Sequence, residues 1–225
     1  MSKILAIETA TEACSAALLN GEAVSVRYEL APREHTQLLL PMMDEVLAQA
    51  GVALKEIDAV AFSRGPGAFT GLRISAGVAQ GAALSVDVPV IPVSTLAALA
   101  NQIDVETGVI IAALDARMGE VYWGVFDKKG AEISLQGEEQ VSKPEEMFER
   151  ANQLIEKYKM VYAIGPGWDE YQADMPSALV FTEKALPSAK DIATLALALL
   201  QAGETVAAED AQPIYIRNNV AIKKR

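Results

Sequence analysis

The chain has 225 residues, with 19 basic and 30 acidic side chains, one histidine and one cysteine. One His and one Cys cannot furnish a Cys/His zinc site. Cys14 alone cannot build a disulfide framework, which fits a reducing compartment. A formal charge of -11 argues against tight, direct binding along a phosphate backbone, and 51% hydrophobic residues exclude a disordered chain.

The apolar run 4–7 is too short for a signal peptide. The longest apolar stretch, 192–200, falls well short of the ~20 residues of a bilayer span. The expectation is a cytoplasmic protein with no membrane partner. Residues 5–8 predict a short buried strand, 15–19 a second and 23–30 a third, with Asn20-Gly21 as a hairpin turn. Leu38, Leu39, Met42, Met43, Val46 and Leu47 recur at helical spacing after the cap candidate Thr36, and Gly51 ends that helix. A strand at 59–63 leads into Arg64-Gly65-Pro66-Gly67-Ala68-Phe69-Thr70-Gly71. A helix over 72–84 follows, built from small residues. Residues 90–93 read as a strand, Ser94 as a cap, and 96–103 as a helix.

The second half opens with a strand at 109–115 that ends in Asp115. Strands at 121–126 and 132–135 flank the Lys129-Gly130 turn. Residues 144–158 predict a helix with Pro144 in its first turn, where the missing N–H is harmless. A strand at 161–164 runs directly into the loop Gly165-Pro166-Gly167. An apolar helix spans 188–201 and stops at Gly203. The tail 213–225 reads as extended and closes on Lys223-Lys224-Arg225, a solvated tail or a contact to RNA phosphates within a larger complex.

The two halves form a degenerate repeat. Each opens with a strand ending in a carboxylate (Glu8, Asp115), continues through a glycine hairpin (Gly21, Gly130), and reaches a Gly-Pro-Gly loop through a helix and a strand. Such tandem units characterise the α/β architecture of actin, Hsp70 and sugar kinases, with two ribonuclease H-like lobes. The expected lobes are 1–104 and a reduced 105–225, with the helix 188–202 packing back on the first. Fold analogy alone assigns no function.

Several motifs carry two readings. Gly65 to Arg73 lies between a strand and a helix, where glycines and a helix N-terminus can hold an anion or simply make a tight turn. It is not a Walker A loop, because no Lys-Ser/Thr follows its last glycine. Glu8 and Asp115 read as a Mg²⁺ and base pair for phosphotransfer or as turn caps. His35 reads as a helix-start or interface residue and Cys14 as a small core residue. Gly77 and Gly81 weaken their helix by about 1 kcal/mol each, which argues for close contact there. The apolar width of this helix and the one before it predicts a partner interface.

Residues 4–12 and Gly65-Pro66-Gly67-Ala68-Phe69-Thr70-Gly71-Leu72-Arg73-Ile74 resemble the N-terminal lobe of the TsaB/TsaD family. Asp115-Ala116-Arg117-Met118-Gly119-Glu120-Val121-Tyr122-Trp123 and the stretch from Pro213 to Ala221 resemble its TsaB branch. The resemblance covers nearly the whole chain. It implies a subunit of the machinery that transfers threonylcarbamoyl to N6 of adenosine 37 in tRNAs reading codons that begin with A. In the catalytic branch, TsaD, a His pair binds the metal. Aligned motifs put Thr95 and Leu99 at those positions, and neither replaces an imidazole ligand. The resemblance therefore implies a non-catalytic scaffold that binds no metal, pairs with TsaD or with itself, and supports TsaE. tRNA would be contacted only through the complex. No cofactor is required by this subunit, while ATP or ADP belongs to the complex. Interface candidates are Leu39, Met43, Val46, Ile74, Ser75, Val78, Ala79 and Ala82. Candidates for a vestigial phosphate or nucleotide cleft are Glu8, Thr9, Gly65, Gly67, Asp115, Gly165 and Gly167. The alternative is an independent ATP-dependent phosphotransferase of the sugar-kinase type.

Overall fold

Residues 2–182 and 185–217 are described by the structure, a computed structural model. The basic residues Lys223-Lys224-Arg225 and the motif residues 218–221 lie outside the described residues.

Three strands run consecutively in antiparallel register: β1 (Lys3–Glu8), β2 (Ala13–Asn20) and β3 (Ala23–Leu30). β4 (Ala59–Gly65) and β5 (Val90–Ser94) add in parallel beyond β1, giving the order β3-β2-β1-β4-β5. β1 lies in the middle because its apolar run is covered on both faces, as central strands of such sheets must be.

The second sheet repeats this plan. It contains β6 (Thr107–Arg117), β7 (Glu120–Lys129), β8 (Glu132–Leu135), β10 (Val161–Ile164) and β11 (Val180–Thr182). A short β9 (Gln140–Ser142) pairs with β7. Read from β8, its order is β8-β7-β6-β10-β11. The first strand of each half is again central, flanked by its own hairpin on one side and a parallel strand on the other. The chain thus has the tandem actin-like α/β architecture, with short outer strands in the second half. The three-residue strands β9 and β11 are too brief to show an alternating pattern in the sequence.

Six helices complete the described residues. α1 (His35–Ala50) and α2 (Phe69–Val86) cover one face of the first sheet, packing Leu39, Val46 and Ala79 on Leu5, Ile7 and Phe62. α6 (Ala189–Ala202) covers the other face, setting Ile192, Ala193 and Ala196 on Ile4, Ala6 and Ile91. Its first amide donates to Ser15 Oγ on β2 at 2.9 Å. α3 (Thr95–Asn101) lies between the sheets, and its Leu96, Leu99 and Ala100 pack on Ile110, Ala112 and Ile164. α4 (Pro144–Lys157) covers one face of the second sheet through Met147, Ala151 and Leu154. α5 (Pro166–Asp169) is a single turn. No helix among the described residues is long and apolar enough to cross a membrane.

Two local expectations need correction. Thr36 does not cap α1. The helix begins at His35, because the imidazole is drawn inward and its Nε2 donates to the carbonyls of Thr11 (2.9 Å) and Ala13 (3.2 Å). The second Gly-Pro-Gly segment is no open loop. Pro166 begins α5, and Trp168 is buried with its indole N–H donating to the Ile111 carbonyl at 3.1 Å. Ser94, by contrast, does cap α3, accepting from the Ala97 amide at 3.0 Å.

Candidate functional site: the inter-lobe crevice and the outer helix face

A crevice of about 1190 Å³ opens between the two halves. Its first wall is the turn after β1, the start of α1 and the loop into α2. Its second wall is the end of β6 and α5, and residues 214–217 run along it. Of the seven cleft candidates, Gly67 and Asp115 line it.

The glycines of the first loop serve close backbone packing. A Cβ at Gly67 would lie 2.5 Å from the Ala10 carbonyl oxygen, and one at Gly71 would collide with the Thr9 carbonyl. The Ala68 amide donates to that Ala10 carbonyl at 2.7 Å, and the buried Thr9 hydroxyl donates to the Gly71 carbonyl at 2.8 Å. The second half repeats the device. A Cβ at Gly165 would collide with the Ala113 carbonyl, and one at Gly167 would sit 2.7 Å from the Leu114 amide nitrogen. Each Gly-Pro-Gly segment is therefore clamped to the first strand of its own half or to the turn that follows it. Gly65, Gly165 and Gly167 are buried, so their amides present no cradle to the crevice.

The two carboxylates also share one local geometry. Glu8 accepts from the Ala10 amide, and Asp115 accepts from the Arg117 amide at 2.7 Å. Both cap the turn leaving their strand. Their environments differ. Asp115 is partly exposed at the crevice and pairs with the Arg117 guanidinium at 3.0 Å. Glu8 is fully buried, off the crevice, and loss of solvation pushes its carboxyl up to about 7 in spite of the hydrogen bond from the Ala10 amide. Glu8 Oε2, Ser63 Oγ and Thr95 Oγ1 are the buried side-chain atoms without a partner among the described residues. Asp115 lines the crevice and Glu8 does not. Glu8 and Thr9 are thus structural members of the β1 turn rather than crevice residues.

Thr95 and Leu99 lie on α3 with no exposed surface. Leu99 reaches the second lobe, where a Cβ on Gly165 would come within 2.9 Å of its Cδ1. Cys14 is buried, and loss of solvation, with Glu8 and Glu29 nearby, pushes its thiol up to about 11. Such a thiol stays protonated and is no nucleophile at neutral pH.

The interface candidates divide by orientation. Leu39, Met43, Val46, Ser75 and Ala79 face the first sheet and are 0–4% exposed, so they belong to the lobe's own core. Helical spacing identifies an apolar face but not which neighbour it meets. Ile74, Val78 and Ala82 are only half-buried. The outward surface is a groove of about 250 Å³ between α1 and α2, lined by Leu40, Asp44, Leu47, Val78, Gly81 and Ala82, which the nearly buried Met43 also touches from the core side. Leu40 in this groove (55% exposed) and Leu84 farther along α2 (63% exposed) are unanticipated exposed apolar residues. The sequence does carry a signal for them, since each falls off the core-facing positions of its helix. Gly77 and Gly81 leave open space, with no atom within 4 Å of where a Cβ would stand.

Comparison with known proteins adds sequence and structural relatives. Residues 25–224 match the family described as TsaD, tRNA N6-adenosine threonylcarbamoyltransferase. The tRNA threonylcarbamoyladenosine biosynthesis protein TsaB of Escherichia coli (strain K12) is 46% identical over 229 residues, covering 99% of this chain and 97% of that protein. The protein of the same description from Haemophilus influenzae is 41% identical, covering 98% and 96%. Among solved structures, YeaZ from Pseudomonas aeruginosa superposes with a TM-score of 0.84 at 41% identity, over 96% of this chain and 100% of that one.

Proposed function

The chain belongs to the TsaB/TsaD family, and from that premise we propose that it is the scaffold subunit of tRNA threonylcarbamoyladenosine formation. It carries no transfer chemistry of its own and is required, with TsaD and TsaE, for threonylcarbamoyl transfer to N6 of a tRNA adenosine in the cytoplasm. The observation that carries this reading is the state of α3. At the positions where the resemblance to TsaD puts imidazole ligands, Thr95 and Leu99 are sealed inside the core joining the lobes. A side chain with no exposed surface cannot present a ligand to a substrate.

The exposed face of α1 and α2 is the surface offered to TsaD, or to a second copy when the chain is alone. Its small residues Gly77, Gly81 and Ala82 let a partner helix approach closely, and Leu40 and Leu84 supply apolar area. The subunit needs no cofactor, ATP or ADP is handled by the complex, and tRNA is reached through the partners. The test is reconstitution. tRNA incubated with TsaD, TsaE, ATP and a threonylcarbamoyl donor should gain the modification only when this chain is added, and this chain alone should give none. Ala82→Glu should abolish co-elution with TsaD while circular dichroism stays unchanged. Modification by the chain alone, or full activity of TsaD and TsaE without it, would sink the proposal.

A further inference from the structure

The described chain ends on the opposite lobe from the one that holds its last segment. After α6, Val206 pairs with Val90 on β5, and Ala208 and Ala211 enter the core of the first lobe. The Gln80 side chain on α2 donates to the Ala211 carbonyl at 2.9 Å, and the Ile214 amide donates to the Arg64 carbonyl at 2.7 Å. A Cβ on Gly65 would meet the Ile214 carbonyl oxygen at 2.9 Å, so the strap lies flat against the end of β4. The Tyr215 ring packs on Phe69 with centroids 5.6 Å apart, and its hydroxyl accepts from Arg73 Nε at 3.2 Å. All these anchors belong to the first lobe. Two residues later the chain changes sides. The Arg217 guanidinium pairs with Glu120 and donates to the Arg117 carbonyl at 3.5 Å, both in the β6–β7 hairpin of the second lobe.

We propose that residues 213–217 are an inter-lobe latch that releases at Arg217, whose pair with Glu120 spans the crevice mouth. The asymmetry of the anchors carries this. On the first lobe the strap is held by backbone hydrogen bonds, an aromatic contact and buried alanines. On the second, among the described residues, it is held through the Arg217 guanidinium, which besides Glu120 reaches the Met118 sulfur at 3.9 Å and lies 6.0 Å from the centroid of the Tyr122 ring. The pair with Glu120 joins a side chain 16% exposed to one 37% exposed. Partly exposed pairs are weak and salt-screened, which suits a contact that opens. Elsewhere the lobes are joined by the core around α3 and by the mostly buried Glu139, which accepts from the Ser94 hydroxyl and pairs with Arg64 at 3.5 Å, so loosening at Arg217 shows at the mouth. Release leaves the strap on the first lobe and frees both the β6–β7 turn and the crevice that Ile214, Tyr215 and Arg217 line.

Hydrogen exchange read by mass spectrometry on the full chain tests this. Glu120→Gln should speed exchange several-fold in peptides spanning 114–120 and 211–217, with α1 and α4 unchanged. Raising salt to about 0.5 M should act the same way on the unaltered protein and add little to the variant. Unchanged strap exchange would overturn the latch, and so would acceleration through the whole chain, which would make Glu120 a general stabiliser. The charge swap Glu120→Arg with Arg217→Glu gives the opposite arm. It should bring exchange in both segments back toward that of the unaltered protein, while either single change accelerates it. A swap that restores nothing would refute the pair.

Discussion

Glu8 is the residue whose chemistry the fold alters most. Its carboxyl sits without solvent at the end of β1, with one oxygen on the Ala10 amide and the other unpartnered. Its ordinary value of 4.5 is raised to about 7 by burial. The folded state therefore holds the proton more tightly than the unfolded chain. This penalty is absent below the unfolded value, grows as pH rises from 4.5 toward 7, and is complete above 7. A shift of that size corresponds to about 3 kcal/mol at full ionisation. Glu8→Gln keeps an oxygen for the Ala10 amide and offers an N–H to the Ser63 hydroxyl. It should flatten the fall in stability between pH 5 and pH 8 and raise the urea midpoint at pH 8. Parallel pH profiles for the two proteins would refute this account. The pairing of Glu8 with Asp115 as strand-end carboxylates is legible in the sequence, and so is their alternative role as turn caps. Their unequal burial is not. It depends on the start of α6, whose Ala189 amide donates to Ser15 directly opposite Glu8, whereas the β6 end faces the crevice.

Among the elements, α2 shows how far periodicity reaches. Its small residues signal close approach, and the structure separates two kinds. Ser75 and Ala79 let the helix settle on its own sheet. Gly77 and Gly81 face open space. A helix that keeps two such glycines gives up stability it could recover with alanine. Gly81→Ala should therefore stabilise the isolated chain by about 1 kcal/mol, while weakening association with TsaD, because the added methyl would stand where a partner helix approaches. Thermal unfolding and a binding titration on the same variant read the two signs. Destabilisation, or unchanged binding, would show that the glycines serve neither purpose. At the buried Ala79, by contrast, a glutamate would force a charge into the lobe's own core and should destabilise the fold. The sequence outlines the two amphipathic helices but does not orient them. Orientation comes from the sheet: Leu5, Ile7 and Phe62 take the Leu39–Val46–Ala79 side, leaving Leu40 and Leu84 outward.

For the molecule as a whole, the governing fact is that neither lobe is completed by its own stretch of chain. α3 contributes its leucines to the core shared with the second sheet, and α6 closes the far face of the first. Interaction across two such dry contacts should make the lobes unfold together. Both tryptophans, Trp123 and Trp168, lie in the second lobe. Their fluorescence should nonetheless trace the same denaturation curve as far-ultraviolet circular dichroism, which reports on all helices and strands. Separated midpoints would mean independent lobes. The repeat of strand, hairpin and Gly-Pro-Gly loop reveals the tandem plan from sequence because each device is local. The coupling is harder to read, since it rests on contacts between segments far apart in the chain.

α6 also bears on how the chain is made. Residues 189–202 leave the ribosome long after Ile4, Ala6 and Ala17, which they cover. Until then one face of the opening sheet stays uncovered while the second lobe is already being synthesised. At ~5–20 residues per second that interval lasts on the order of ten seconds or more. An alanine-rich sheet face is a weak hydrophobic lure compared with one of leucine and phenylalanine. The modest side chains of β1 and β2 on that side thus suit a nascent chain that must wait, unaggregated, for its closing helix.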